Sequence, residues 1–177
     1  MRILLTGGSK SGKSTAAQHL CRHLADAAPM YYWATMTPRD GEDHARIRRH
    51  IADRDGWGFQ TIERSVDLPA ALPDIDRRGA VLLDSVTAAL SEAMFGVTFD
   101  AAAPERVAAE LLTVSRHPAH FVCVCDDLWR GGENYEDWTE IYVRGLAAVC
   151  RALAAEFDVV CDMAAGLPRV WKGAWPL

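Results

Sequence analysis

Residues 3–14 read Ile3-Leu4-Leu5-Thr6-Gly7-Gly8-Ser9-Lys10-Ser11-Gly12-Lys13-Ser14, and the last eight complete a G-x-x-x-x-G-K-[ST] phosphate-binding pattern. The four residues before the loop are a short apolar run suited to a buried strand. After it, Ala16, Ala17, Leu20, Cys21 and Leu24 recur on one side at helical spacing. Between a strand and a helix, such glycines let backbone amides turn inward around a polyphosphate. Gly7, Gly8, Ser9, Lys10, Ser11, Gly12, Lys13 and Ser14 are therefore the first expected nucleotide-binding residues. Lys13 is expected to reach the β- and γ-phosphate oxygens, and Ser14 to ligate Mg²⁺. A plain Gly/Ser-rich turn would not explain both flanks. The chain is expected to bind a nucleoside triphosphate.

Working outward, strands alternate with helical patterns. Strands are expected at Arg2–Thr6, Met30–Ala34, Ala80–Asp84, Phe121–Cys125, Val159–Met163 and, briefly, Arg169–Lys172. Helices are expected at Lys13–Asp26, Glu42–Arg54, Val86–Phe95, Pro104–Arg116 and Tyr135–Glu156. In the last, Tyr135, Trp138, Tyr142, Leu146, Val149 and Leu153 form a stripe expected to face the core. This order implies one α/β domain over residues 1–177: a mostly parallel sheet with helices on both faces and the ligand at the carboxyl ends of the strands. Thr35, Asp84, Ser85, Asp126 and Asp127, each just after a strand, are the polar residues to watch.

The totals agree with that reading. A chain of 177 residues with 50% hydrophobic content can bury one sizeable core. A net charge of −5 argues against a general nucleic-acid binder. No apolar run has the length of a membrane span, and because Met1 leads straight into the first strand no signal peptide is expected. Cys21, Cys123, Cys125, Cys150 and Cys161 lie in apolar stretches without C-x-x-C spacing. They read as buried free thiols, suited to a reducing cytoplasm.

The segment Glu42–Arg54 carries Arg46, His50 and Arg54 at steps of four, with Arg49 beside them. Ile47 and Ile51 form an adjacent ridge expected to dock the helix. Spacing alone allows two readings. The face is either a solvated basic surface or a phosphate-handling one, in which flanking arginines favour a neutral, nucleophilic imidazole.

Three separated segments together resemble the bifunctional adenosylcobinamide kinase / adenosylcobinamide-phosphate guanylyltransferase family of cobalamin biosynthesis. The loop segment is similar to that family's I-L-V-T-G-G-x-R-S-G-K-S. Ala34-Thr35, Arg46-Ile47, His50 and Arg54 follow its A-T … R-I-x-x-H-x-x-x-R pattern, and Trp57, Thr61 and Glu63 resemble its W-x-T-x-E with two extra residues between the tryptophan and the threonine. Gly166-Leu167-Pro168 with Lys172-Gly173 resembles its G-[IL]-P-x-x-x-K-G ending, and Leu82–Thr87 its L-[LV]-[ED]-[CS]-[IL]-T strand end.

The resemblance implies a RecA-like P-loop NTPase fold and two reactions. One phosphorylates adenosylcobinamide with ATP or GTP. The other transfers GMP from GTP through a covalent adduct on His50, which with Lys13 is then catalytic. It further implies nucleotide contacts from Ala34, Thr35, Met36, Arg46, Ile51, Ala52, Asp53, Arg54, Glu63 and Asp84, and Mg²⁺ held by Ser14 and Asp84. The implied partners are a corrinoid substrate and two further copies of the chain, in a homotrimer. For Glu63 the alternative is a surface charge at a strand end, while Asp84 reads equally as a Mg²⁺-water carboxylate or a guanine or ribose contact.

From Cys125 to Arg151 the chain departs from the family pattern. Where T-N-E-V-G-x-G-[IV]-V-P is usual, it has Cys125-Asp126-Asp127-Leu128-Trp129-Arg130-Gly131-Gly132-Glu133-Asn134. Asp126 and Asp127 are candidates to replace the Asn-Glu pair. The departure leaves the kinase step and its acceptor open. Two other readings remain: a P-loop kinase for another small metabolite, and a non-catalytic GTP-binding module.

Overall fold

The computed structural model describes residues 1–130 and 136–177, without the side chains of Glu42, Arg46, Arg49 and Asp53. Among the described residues, strands β1 (Arg2–Gly7), β2 (Met30–Ala34), β3 (Phe59–Glu63), β4 (Ala80–Asp84), β5 (His120–Asp126), β6 (Val159–Ala164) and β7 (Leu167–Lys172) form one sheet in the order β3-β2-β4-β5-β1-β6-β7. All pairings are parallel except the β6–β7 hairpin. The central strands carry apolar side chains on both faces, as a doubly covered parallel sheet requires.

Helix α1 (Lys13–Ala25) covers one face, where Ile3, Leu5, Leu82, Val122 and Val124 meet Ala17, Leu20 and Cys21. On the other face α3 (Val86–Phe95), α4 (Ala103–Ser115) and α5 (Asp137–Glu156) close over Leu4, Trp33, Leu83, Phe121 and Cys123. Gly145 lets α5 approach α4: a Cβ there would stand 2.7 Å from Pro104 Cγ. Helix α2 (Gly41–Asp53) follows β2.

The expected RecA-like α/β sheet is thus the one observed, with three local differences. Phe59–Glu63 forms an edge strand that the sequence pattern had not marked, because its burial does not follow the strict alternation of a half-buried strand. Trp138 does not join the core stripe of α5: it is 58% exposed and packs edge-on to Phe99, whereas Leu146, Val149 and Leu153 are fully buried. Ile51 does not dock α2, being 51% exposed. The expected start of the last helix, Tyr135, lies outside the described residues.

Candidate nucleotide site

The phosphate loop is shaped by its neighbours. Gly7 has φ +146°, and a Cβ on it would stand 2.5 Å from Met163 O of β6. Lys10 (φ +59°) and Gly12 (φ +96°) take left-handed backbone, the geometry that turns successive amides to one side. The β6–β7 hairpin presses on the loop: Gly166 N donates to Ser11 O at 2.9 Å, and a Cβ on Gly12 would stand 3.2 Å from Gly166 Cα. This explains the C-terminal motif structurally. Gly166 abuts the loop, Lys172 Nζ donates to Ala154 O and Ala155 O at the end of α5, and Gly173 fits against Asp158 O.

Lys13, the first residue of α1, has a side chain only 8% exposed. Its Nζ donates to Gly8 O at 2.7 Å and pairs with Asp126 Oδ1 at 2.8 Å. The parallel register sets Asp126 opposite Gly7. Asp127 N donates to Gly7 O at 3.2 Å. Arg130 then joins Asp127 (3.3 Å) to the buried Asp162 of β6 (2.7 Å). Asp126 and Asp127 are expected from the sequence as strand-end polar residues, but Arg130 and Asp162 carry no sequence signal, because only the adjacency of β5, β1 and β6 brings them together. Ser9 and Lys10 are exposed, and Ser14 is half-buried in the first turn of α1.

A second group lies at the carboxyl ends of β2, β3 and β4, where the register aligns Ala34 with both Glu63 and Asp84. Thr35 is fully buried, and its hydroxyl both donates to Ser85 O (2.7 Å) and accepts from Ser85 N (2.8 Å), bracing the turn into α3. Ser85 caps that helix by accepting from Ala88 N at 3.1 Å. Tyr32 OH donates to Asp84 Oδ2 at 2.9 Å. Glu63 is exposed and Met36 half-buried.

The end of α2 reaches this group. The Arg54 guanidinium, 8% exposed as a residue, lies 3.7 Å from the Tyr32 ring centroid, and its Nη1 donates to His50 O at 2.8 Å. Trp57, just beyond, packs against α1 through His19 (5.0 Å between centroids) and Arg22 (5.1 Å to the ring). His50 is half-buried, while Ile51 and Ala52 are exposed. Arg46 and Asp53 lie on this helix, but their side chains are outside the described set. Among the described residues, no hydrogen bond or ion pair joins the His50 ring to the phosphate loop.

Comparison with known proteins places this geometry. Residues 3–170 match the family model described as cobinamide kinase / cobinamide phosphate guanyltransferase. The chain is 29% identical over 178 residues to the bifunctional adenosylcobalamin biosynthesis protein CobP of Pseudomonas aeruginosa, covering 98% of each. It is 31% identical to the corresponding CobU of Salmonella typhimurium, covering 74% of this chain and 77% of that protein. With CobU of Escherichia coli it shares 37% over 97 residues, spanning about half of either chain (54% and 51%). In fold alone it resembles the flagellar accessory protein FlaH from Methanocaldococcus jannaschii (TM-score 0.53, 14% identity, 97% of this chain and 78% of that one). A type III secretion ATPase of pathogenic bacteria is similar too (TM-score 0.57, 16% identity, 96% and 56%). The chain belongs to the cobinamide kinase / cobinamide phosphate guanyltransferase family, transferases of adenosylcobalamin biosynthesis built on a P-loop NTPase fold.

Proposed function

We propose that this chain phosphorylates adenosylcobinamide with ATP or GTP and then transfers GMP from GTP to the phosphate so formed, through a GMP–His50 intermediate. The observation that carries this reading is the anchoring of the His50 helix, through Arg54 and Tyr32, to the strand-end row that contains Asp84. One nucleotide site thereby has both a phosphate loop and a histidine-bearing helix attached to its rim.

Ser14 and Asp84 offer the hard oxygen donors that suit Mg²⁺. When bound there, the ion supplies positive charge to neutralise the polyphosphate. Lys13 contributes a fixed positive charge to the same oxygens once a phosphate takes it over from Asp126. In the kinase step the acceptor oxygen bonds the γ-phosphorus, the γ–β bridging bond breaks, and the nucleoside diphosphate leaves. The hydroxyl proton passes to a carboxylate, a role for which Asp126 is available once the phosphate has taken Lys13 from it.

In GMP transfer, a ring nitrogen of His50 bonds the α-phosphorus, and pyrophosphate leaves with the electron pair of the broken bridge. The corrinoid phosphate oxygen then attacks, the N–P bond breaks, and its pair returns to the imidazole. Helix α2 must bring the His50 ring to the loop for this, a motion of the kind that closes many phosphoryl-transfer sites. Glu63 and Asp84 are suited to accept from the guanine or ribose edge.

A homotrimer with α2 near a subunit boundary accords with the exposed Ile51 on that helix. Among the described residues no helix is long and apolar enough to cross a membrane. The five buried free thiols suit a reducing cytoplasm.

The test is product analysis by mass after incubation with adenosylcobinamide, Mg²⁺ and ATP or GTP. Cobinamide phosphate and then the GDP derivative are expected, and Lys13→Ala makes neither. Nucleotide turnover with no corrinoid product would overturn the reading.

A further inference from the structure

Tyr32 stands in mid-strand on β2 with only 5% of its surface exposed, yet both its polar end and its ring face are engaged. A buried tyrosine hydroxyl needs a partner, and here it donates to Asp84 Oδ2 at 2.9 Å. Its ring meets Phe59 edge-on, 6.5 Å between centroids. The ring face carries the Arg54 guanidinium at 3.7 Å.

Taking an arginine out of water costs free energy unless its charge is compensated. Here a π-face and the His50 carbonyl, 2.8 Å from Arg54 Nη1, supply that compensation. Arg54 in this arrangement is an anchor, not an open phosphate clamp. An unbroken series of contacts therefore runs from the Asp84 carboxylate, through the Tyr32 hydroxyl and ring, to the guanidinium and the backbone of His50. The second anchor, the packing of Trp57 against His19 of α1, holds the chain just past this point, where Trp57 N donates to Arg54 O at 3.1 Å.

We propose that Tyr32 is a positioning residue that couples Asp84 to the carboxyl end of the His50 helix, so that what Asp84 binds is felt at His50. This rests on the roles given to Asp84 and His50 above. The coupling needs the hydroxyl for Asp84 and the ring for Arg54, which explains a tyrosine, rather than a phenylalanine, at a core strand position.

Tyr32→Phe tests it cleanly, since it removes one oxygen and keeps the ring that holds Arg54. Amide hydrogen exchange of residues 47–54 is compared in the wild type, Tyr32→Phe, Asp84→Ala and the double variant, without ligand. Each single change is expected to speed exchange about five-fold, the scale of coupling between contacting residues, and the double change no further. In parallel, GMP labelling of His50 by saturating GTP is expected to slow about tenfold in Tyr32→Phe with little change in KM.

Additive exchange effects, or exchange unchanged in Tyr32→Phe, would overturn the coupling. A merely structural tyrosine would not make the effect of Asp84→Ala vanish in its absence. If the wild type takes no label at His50, the reading of that residue fails, and the exchange cycle still decides the coupling.

Discussion

Lys13 Nζ lies 2.8 Å from Asp126 Oδ1, so the loop lysine is held by a carboxylate at the place where a phosphate is expected to bind. The pair follows from topology: β5 lies directly beside β1, and the register sets Asp126 opposite Gly7. The lysine side chain is 8% exposed and the aspartate 36%, so water screens the pair only from one side. Phosphate must compete with, or share Lys13 with, this carboxylate.

Asp126→Asn should therefore lower the stability of the ligand-free protein by about 1 kcal/mol, discounted for the half-exposed partner. It should also tighten MgGTP binding several-fold, because one negative charge leaves the phosphate site. Thermal midpoints with and without MgGTP check both, and a larger ligand-induced rise in the variant is the expected outcome.

Two adjacent glycines should behave differently. At Gly7 an added Cβ meets the Met163 carbonyl at 2.5 Å with φ +146°, whereas at Gly8 the nearest neighbour is Asp127 Oδ1 at 3.8 Å. Gly7→Ala is expected to cost more than about 2 kcal/mol, and Gly8→Ala less than about 1 kcal/mol, in urea unfolding.

Much of this was legible in the sequence for identifiable reasons. The loop is a local motif, and central parallel strands such as Leu82-Leu83 and Phe121–Cys125 are apolar on both faces, so each announces itself without knowledge of its neighbours. What was not legible depends on which strands become adjacent. Nothing local pairs Lys13 with Asp126, Arg130 with Asp162, or Arg54 with Tyr32. Helical spacing placed Ile51 beside Ile47 as a docking ridge, but the helix is anchored at its end by Arg54 instead, and Ile51 is left exposed. Thr35 reads in the sequence as a strand-end polar residue, and the adjacency of β2 and β4 is what lets its hydroxyl brace Ser85.

Thr35→Val keeps the shape of that brace and removes both hydrogen bonds. Ser85 N–H and C=O then lose their partner beside a fully buried side chain. The expected loss is about 2–3 kcal/mol, read by urea unfolding.

Alkaline pH should destabilise the fold through its thiols. Burial pushes Cys21 up to about 12 and Cys161 up to about 11, from an ordinary 9.0. Raised values mean that the folded state keeps protons the unfolded chain has lost. This contribution is complete below pH 9 and declines as the pH rises towards 11 and 12. Thermal midpoints should fall above pH 9, less steeply in Cys21→Ala. At pH 8 the folded protein should react slowly with a thiol reagent that titrates five cysteines after unfolding.

The central claim, that His50 carries GMP, is tested most directly by incubating the protein with α-labelled GTP and Mg²⁺, then denaturing it and mapping the label by mass. The account predicts an acid-labile, base-stable GMP adduct on His50 that is absent from His50→Ala. Nucleotide binding without an adduct, or an adduct that persists in His50→Ala, would contradict it.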